Sequence, residues 1–265
     1  MNWQTTSLRG SLTVIGPDLC LRQFGVPPGG AWDQSAQRIA QFLAPGEALE
    51  IATTTWGGQP FWEGLAEEDL TLGLAGLDGW VEVAGRATHL PARVPVPKGT
   101  TWRVFAGNRG MRLAVGIAPG LMRQLRVETD RTDMSYLSYL SYLPIAAQSS
   151  LQVEVGVNQS PMGIWLKGGF HPSPALNFSE PSVCGAIQVV EGALLVHGPS
   201  GPVTSGYPKI GFLTHASIFR LAQARPGDQI VLRPTTMEEA RQAHRLMRDE
   251  LERKFSMIRL LGVVE

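Results

Sequence analysis

Short runs of alternating apolar and polar residues recur along this chain, each closed by glycine or proline, and they restrict its fold more than any other feature. They are DLTLGLAG at 69–76, GWVEVAG at 79–85, TWRVFAG at 101–107, MRLAVGIA at 111–118, LQVEVGV at 151–157, AIQVVEGALLVHG at 186–198 and DQIVLRP at 228–234. Successive side chains of a strand point to opposite faces, so a period of two marks strands with one buried side. Glycine (30) and proline (19) together supply about 18% of the 265 residues, against a usual share of roughly 12%. Turns are therefore frequent and strands short. Many short strands spaced by turns predict a barrel or sandwich, in place of a parallel sheet with helical crossovers, and the fold class is mainly β.

Two stretches echo each other: VPKGTTWRVF at 96–105 and RPGDQIVLRP at 225–234 both feed a proline-glycine turn into an alternating strand. The echo predicts two related barrels, one over 1–118 and one over 119–265, with 119–149 as the crossing between halves. Within the crossing, SYLSYLSYL repeats with period 3, which fits neither a helix face nor a strand face, and reads as an irregular or 3₁₀-like segment that docks its leucines; a tyrosine-lined ligand wall is the alternative. Two helices are predicted. One is SAQRIAQFLA at 35–44, ended by Pro45 and Gly46. The other is TMEEARQAHRLMRDELERKF at 236–255, where Thr236 and Glu239 make a capping box and Ala240, Ala243, Met247, Leu251 and Phe255 form an apolar stripe. SMIRLLGVVE reads as a final strand.

Several function classes are disfavoured. Twenty-three basic residues balance twenty-three acidic ones, so the excess of cationic surface that neutralises nucleic-acid phosphates is missing. Cys20 and Cys184, far apart, read as free thiols and not a disulfide framework. The start, MNWQTTSLRG, has neither the charged nor the apolar region of a signal peptide, and no window reaches the roughly 18 apolar residues of a membrane span; a cytoplasmic location is expected. Neither a GxxxxGK[ST] phosphate loop, a GxGxxG turn, paired metal-ligand spacing nor GxSxG is present, and His89, His171, His197, His215 and His244 are scattered singly.

The stretch FGVPPGGAWDQSA at 24–36 concentrates backbone constraint. Pro27 and Pro28 fix φ, whereas Gly29 and Gly30 reach conformations that other residues avoid. Asp33, just before a helix, suits an N-cap, and Glu50 opens an apolar strand where it suits a salt bridge. FGVPPGGAWDQSAQRIAQFLAPGEALEI at 24–51 resembles the GVP-x-SG-A-x-D, AN-x-LVGN and A-x-LE succession of the biotin-dependent carboxyltransferase-like family of the allophanate hydrolase subunit 2 type, which includes the matching component of 5-oxoprolinase. GAIQV at 185–189, SGYPKI at 205–210 and LAQARPGDQIVLRPTTMEEA at 221–240 resemble that family's later motifs in the same order.

The resemblance implies two cyclophilin-like β-barrels and a C-terminal helix. It also implies a component that, with a first-subunit partner of the allophanate hydrolase subunit 1 type and a third protein, hydrolyses 5-oxo-L-proline to glutamate using ATP. Relatives of the carboxyltransferase type receive carboxybiotin and pass the carboxyl to urea or a similar amide. Carried onto this chain, it makes Lys209, Tyr207 and Asp33 the candidate catalytic groups and Gly29, Gly30, Glu50, Met162, Gly163, Gln188 and Gly206 the candidate substrate-binding positions. Charged motif positions depart from the pattern: IGPDLCLRQF at 15–24 lacks the arginine-glycine pair, Pro161 stands in place of an arginine, and Ser200, Pro202, Val203 and Ser205 replace aspartate, glutamine, threonine and glycine. Directed charges of that kind supply factors of about 10²–10³ in rate. The departures therefore leave a second reading, a non-catalytic regulatory protein of the kinase-inhibitor-antagonist type.

Overall fold

Strand propensity dominates, as the alternation requires. The computed structural model describes residues 3–16, 26–126, 139–145, 149–169 and 174–260. The chain divides into two compact units, one of residues 1–15, 33–132 and 249–265 and the other of residues 16–32 and 133–248.

The first unit contains β1 (Trp3–Leu8), β2 (Gly10–Val14), α1 (Gln34–Leu43), β3 (Glu47–Thr53), β4 (Pro60–Ala66), β5 (Leu70–Gly76), β6 (Gly79–Val83), β7 (Arg86–His89), β8 (Ala92–Val96), β9 (Thr101–Ala106), β10 (Arg112–Pro119) and β11 (Leu125–Arg126). They form two sheets, β1-β4-β9-β6-β7 and β11-β8-β5-β10-β3-β2, and residues of both make one core that includes Trp62, Trp102, Leu49, Ile51, Leu72 and Leu113. The six-stranded sheet has an unusual second face. Leu49 and Ile51, Leu72 and Leu74, and Leu113 and Val115 join the core, so the alternating positions Ala48, Ala52, Gly73, Ala75, Ala114 and Gly116 look away from it. Small residues there let α1 lie close: a Cβ on Gly73 would stand 2.2 Å from the Ala40 carbonyl oxygen, and one on Gly116 2.4 Å from that of Ala44. Ala36, Ile39, Ala40 and Leu43 of α1 pack with Ala75, Ala114, Leu251, Phe255 and Ile258, and the Phe42 and Phe255 rings stack at 4.6 Å.

The second unit contains β12 (Tyr139–Pro144), β13 (Leu151–Ser160), β14 (Gly163–Lys167), β15 (Glu180–Pro181), β16 (Ala186–Val190), β17 (Ala193–His197), β18 (Thr204–Ser205), β19 (Lys209–Leu213), α2 (His215–Ala222) and β20 (Gln229–Pro234), followed by α3 (Met237–Leu260), whose residues from Asp249 belong with the first unit. Seven of these strands close a barrel in the order β12-β19-β16-β17-β14-β13-β20, sealed by the parallel pairing of β12 with β20 that sets Tyr139 opposite Val231. Leu140, Tyr142, Val153, Ile164, Ile187, Leu194 and Ile230 are among its core residues. Glu191 and Gly192, at φ 50° and 85°, turn β16 back into β17, as a two-residue hairpin with both central residues left-handed prefers. The mainly β class expected from the alternation holds, and the closed seven-stranded barrel is consistent with the cyclophilin-like barrel that the resemblance implies.

Three local expectations are corrected. Residues 139–143 of the serine-tyrosine-leucine repeat, with Pro144, form a regular strand, because Leu140 and Tyr142, two apart, can both enter the barrel core; 135–138 lie outside the described residues. Residues 256–260, expected to begin a strand, continue α3, since Ile258 falls three positions after Phe255 and stays on the buried stripe. The eight-residue helix α2 adds to the two that the sequence predicts. It is capped by Thr214, whose side chain accepts the Ser217 N–H.

Candidate functional site

Gln188 lies on β16, inside the barrel hydrogen-bond ladder, and is 1% exposed. Its Nε2 donates to the Tyr207 carbonyl at 2.9 Å. Its Oε1 accepts from the Ser205 hydroxyl at 2.9 Å and lies 2.6 Å from His197 Nε2. A carboxamide oxygen only accepts, so Nε2 of His197 carries the proton. Nδ1 of the neutral ring is then an acceptor, and the Ser182 hydroxyl, 2.7 Å away, donates to it. Ser182, His197 and Gln188 are each no more than 2% exposed. One chain of donors thus runs from Ser182 through the imidazole to Gln188, and Gln188 holds the Ser205–Tyr207 turn by both ends of its amide.

This order of serine, imidazole and carbonyl matches the order of a nucleophilic triad, but its electrostatics differ. Burial, and secondarily the positive charge of Lys209, push the His197 pKa down to about 4. An imidazole so reluctant to take a proton is a poor general base at neutral pH, and a neutral amide behind it offers no charge to stabilise imidazolium. The group is a rigid positioning network.

Lys209 opens β19 directly after that turn. Its side chain is 4% exposed, and Nζ makes a 3.0 Å ion pair with Glu180, whose side chain is 41% exposed. Glu180 is held by the short ribbon in which β15 pairs with β18, with Glu180 opposite Ser205. An ammonium has three donors, so beyond Glu180 it retains the capacity to meet an anionic oxygen.

The structure gathers Lys209, Tyr207, Gly206 and Gln188 in this one network of the second unit. Gly206 contributes its carbonyl, which accepts the Leu176 N–H at 2.6 Å. Met162 and Gly163 sit one strand away: Gly163 is the register partner of His197, and the Met162 carbonyl accepts from Gly198 at 2.8 Å. The opening loop also packs within this unit. The Gly29 N–H donates to the Pro199 carbonyl at 3.0 Å, and Trp32, 1% exposed, bonds the Ser160 carbonyl at 2.9 Å. Gly29 and Gly30 have φ 69° and 98° with open space where a Cβ would stand, so backbone conformation, not crowding, requires glycine there.

Asp33 and Glu50 belong to the other unit and to each other. Asp33 Oδ1 accepts the Ala36 N–H at 2.9 Å and the Ser35 hydroxyl at 2.8 Å, capping α1. Its own N–H donates to Glu50 Oε2 at 3.2 Å. Glu50 Oε1 stands 3.7 Å from Nε of Arg112, and all three residues are less than a tenth exposed. Burial lowers the Arg112 pKa from its ordinary value, while Glu50 and then Asp33 push it back up.

Sequence reasoning missed His197, Ser182, Glu180 and Arg112. Arg112 was legible in principle, as a lone charge before the apolar run LAVGIA. His197 looked like any other single histidine.

Residues 138–234 match the family model described as "Carboxyltransferase domain, subdomain A and B". No curated protein sequence matches the chain. Among solved structures, TTHA0988 is similar with a TM-score of 0.71 at 20% identity, covering 88% of this chain and 55% of its own. Kluyveromyces lactis urea carboxylase is similar with a TM-score of 0.73 at 15% identity, over 95% of this chain and 29% of its own. The urea amidolyase of K. lactis gives the same score and identity, with 20% of its length covered. At such identities the likeness concerns fold. This chain spans little more than half of TTHA0988 and a smaller part of the two urea enzymes.

Proposed function

We propose that this chain is the carboxyltransferase-like component of an enzyme complex of the 5-oxoprolinase type, acting on a lactam or a related amide such as urea. The observation that carries the reading is Lys209: an ammonium sheltered from solvent, steadied by Glu180, and set on a turn that Gln188 pins. A cation kept in place before the substrate arrives stabilises a carboxylate, a carboxyl group in transfer or a developing oxyanion without reorganising. The carboxyltransferase-model match over 138–234, which contains Gln188 and Lys209, supports it. In the proposed complex ATP is consumed together with a first-subunit partner. Lys209 is also suited to the carboxylate of a carboxylated cofactor such as carboxybiotin.

The test is to co-express the chain with a first-subunit protein of the allophanate hydrolase subunit 1 type and assay ATP-dependent turnover of 5-oxo-L-proline and urea. Lys209→Ala is expected to lower kcat/KM about 10²-fold or more. Turnover of neither substrate by an intact complex overturns the reading. A second reading, a binding or regulatory protein, is favoured by the replaced positions Pro161, Ser200, Pro202 and Val203 and by the neutral His197. Stable association without turnover is its signature.

A further inference from the structure

Gln37 is the exception among the buried polar residues near the start of α1 in the first unit. It lies one turn beyond the cap residue Asp33 and donates its backbone N–H to the Asp33 carbonyl at 3.0 Å, so the two side chains share one side of α1. It is 6% exposed. Among the described residues, neither its Nε2 nor its Oε1 has a hydrogen-bond partner. The neighbouring polar groups are provided for: Asp33 caps the helix, Glu50 receives the Asp33 N–H, and Arg112 faces Glu50. Buried carboxamides are rarely left unbonded. On a helix whose other buried positions are alanine, isoleucine and leucine, an apolar residue would pack without penalty.

We propose that Gln37 is a recognition residue for a ligand carrying a cis amide, the arrangement found in a five-membered lactam. A carboxamide offers one donor and one acceptor side by side. A ring amide, whose N–H and C=O are held on the same edge, meets both in two parallel hydrogen bonds. An open-chain trans amide points them apart, and a carboxylate presents two acceptors and so repels Oε1. Asp33, Glu50 and Arg112 are already paired among themselves, which leaves Gln37 as the group that discriminates. Both amide atoms are covered in this state, so the ligand must open the site to enter, and affinity is expected in the millimolar range. The inference rests on the reading that the chain handles an amide or lactam, and adds the residue and the amide geometry it selects.

The full chain is tested alone, by thermal unfolding with 2-pyrrolidinone, N-methyl-2-pyrrolidinone and γ-butyrolactone at tens of millimolar. Only 2-pyrrolidinone has the paired N–H and C=O, and it alone is expected to raise Tm in a saturable way. Gln37→Leu should raise the ligand-free Tm, because an unbonded buried amide is removed, and should weaken the response to 2-pyrrolidinone at least tenfold; Gln37→Met serves if the leucine variant does not fold. Equal responses to the three compounds, no response to any, an unchanged response in the variant, or a lower ligand-free Tm in both variants overturns the proposal. Lactam binding here needs no partner or ATP. A selective response without turnover in the complex therefore retires the 5-oxoprolinase reading and leaves Gln37 in place, and turnover with no Gln37 dependence does the reverse.

Discussion

Replacing Gln188 by methionine, of similar volume and without hydrogen bonds, isolates the energetics of the positioning network. The change strands three groups: the His197 Nε2–H, the Ser205 hydroxyl and the Tyr207 carbonyl. Ser205 is half-buried and can turn to water, whereas His197 is 1% exposed. Tyr207 is likewise half-buried. Leaving a buried donor unsatisfied costs about 1–3 kcal/mol, so the stranded His197 N–H places the expected loss at about 1–3 kcal/mol. That is an appreciable share of the roughly 5–15 kcal/mol that holds a domain folded. Urea unfolding of the purified chain measures it, with the slope unchanged and the midpoint moved. His197→Phe should restore part of the loss when added to Gln188→Met, because it removes the stranded donor, and a coupling of about 1–2 kcal/mol is expected. A loss under about 1 kcal/mol for the single variant, or strict additivity in the double one, would show that the described bonds do not act as a unit.

Acid should loosen the same network. Unfolded, His197 takes a proton near its ordinary 6.5, and folded it resists until about 4. Between those values the unfolded state binds more protons, so stability rises with pH; the contribution is full above about 6.5 and disappears as pH falls to 4. Its size is on the order of 3 kcal/mol. Urea midpoints at pH 4.5 and 7 should differ more in the natural chain than in His197→Phe, and identical differences would rule out His197 as the source. Gly73→Ala should destabilise the first unit by about 3 kcal/mol or more, an overpacking effect, since its new methyl would stand 2.2 Å from a helix carbonyl; a circular-dichroism melt within a degree or two of the natural chain contradicts the close approach of α1.

Alternation, turn glycines and capping boxes are local, and what they govern is legible in the sequence. Thr236 and Glu239 bond reciprocally, with the Glu239 N–H donating to Thr236 Oγ1 at 3.2 Å and the Thr236 N–H to Glu239 Oε2 at 2.9 Å, and Asp33 caps α1. Period alone misjudges residues 139–143, because a repeat of three still places Leu140 and Tyr142 two apart. It also misses α2, whose eight residues are too few for a clear 3.6 pattern. The site is partly legible through motif order: Gln188, Gly206, Tyr207 and Lys209 do converge. His197 and Ser182 stay hidden because their significance comes from burial and from the tautomer that Gln188 imposes. Motif order names Asp33 and Glu50 alongside Lys209; the bonds described for them lie within the first unit, from Asp33 to Ala36, Ser35 and Glu50 and from Glu50 to Arg112.

Trp32 has a consequence for dissecting this protein into pieces. The indole fills a place beside Gly198 so tightly that a methyl group on that glycine would meet the ring at 2.6 Å, yet it arrives on a stretch encoded more than a hundred residues upstream of the strands it supports. A recombinant fragment of residues 133–248 alone would carry a tryptophan-sized hole and expose its lining. Supplying 24–36 as a separate synthetic peptide should fill the hole, making the second unit a candidate for split-protein reconstitution in which binding of the peptide is itself the folding signal.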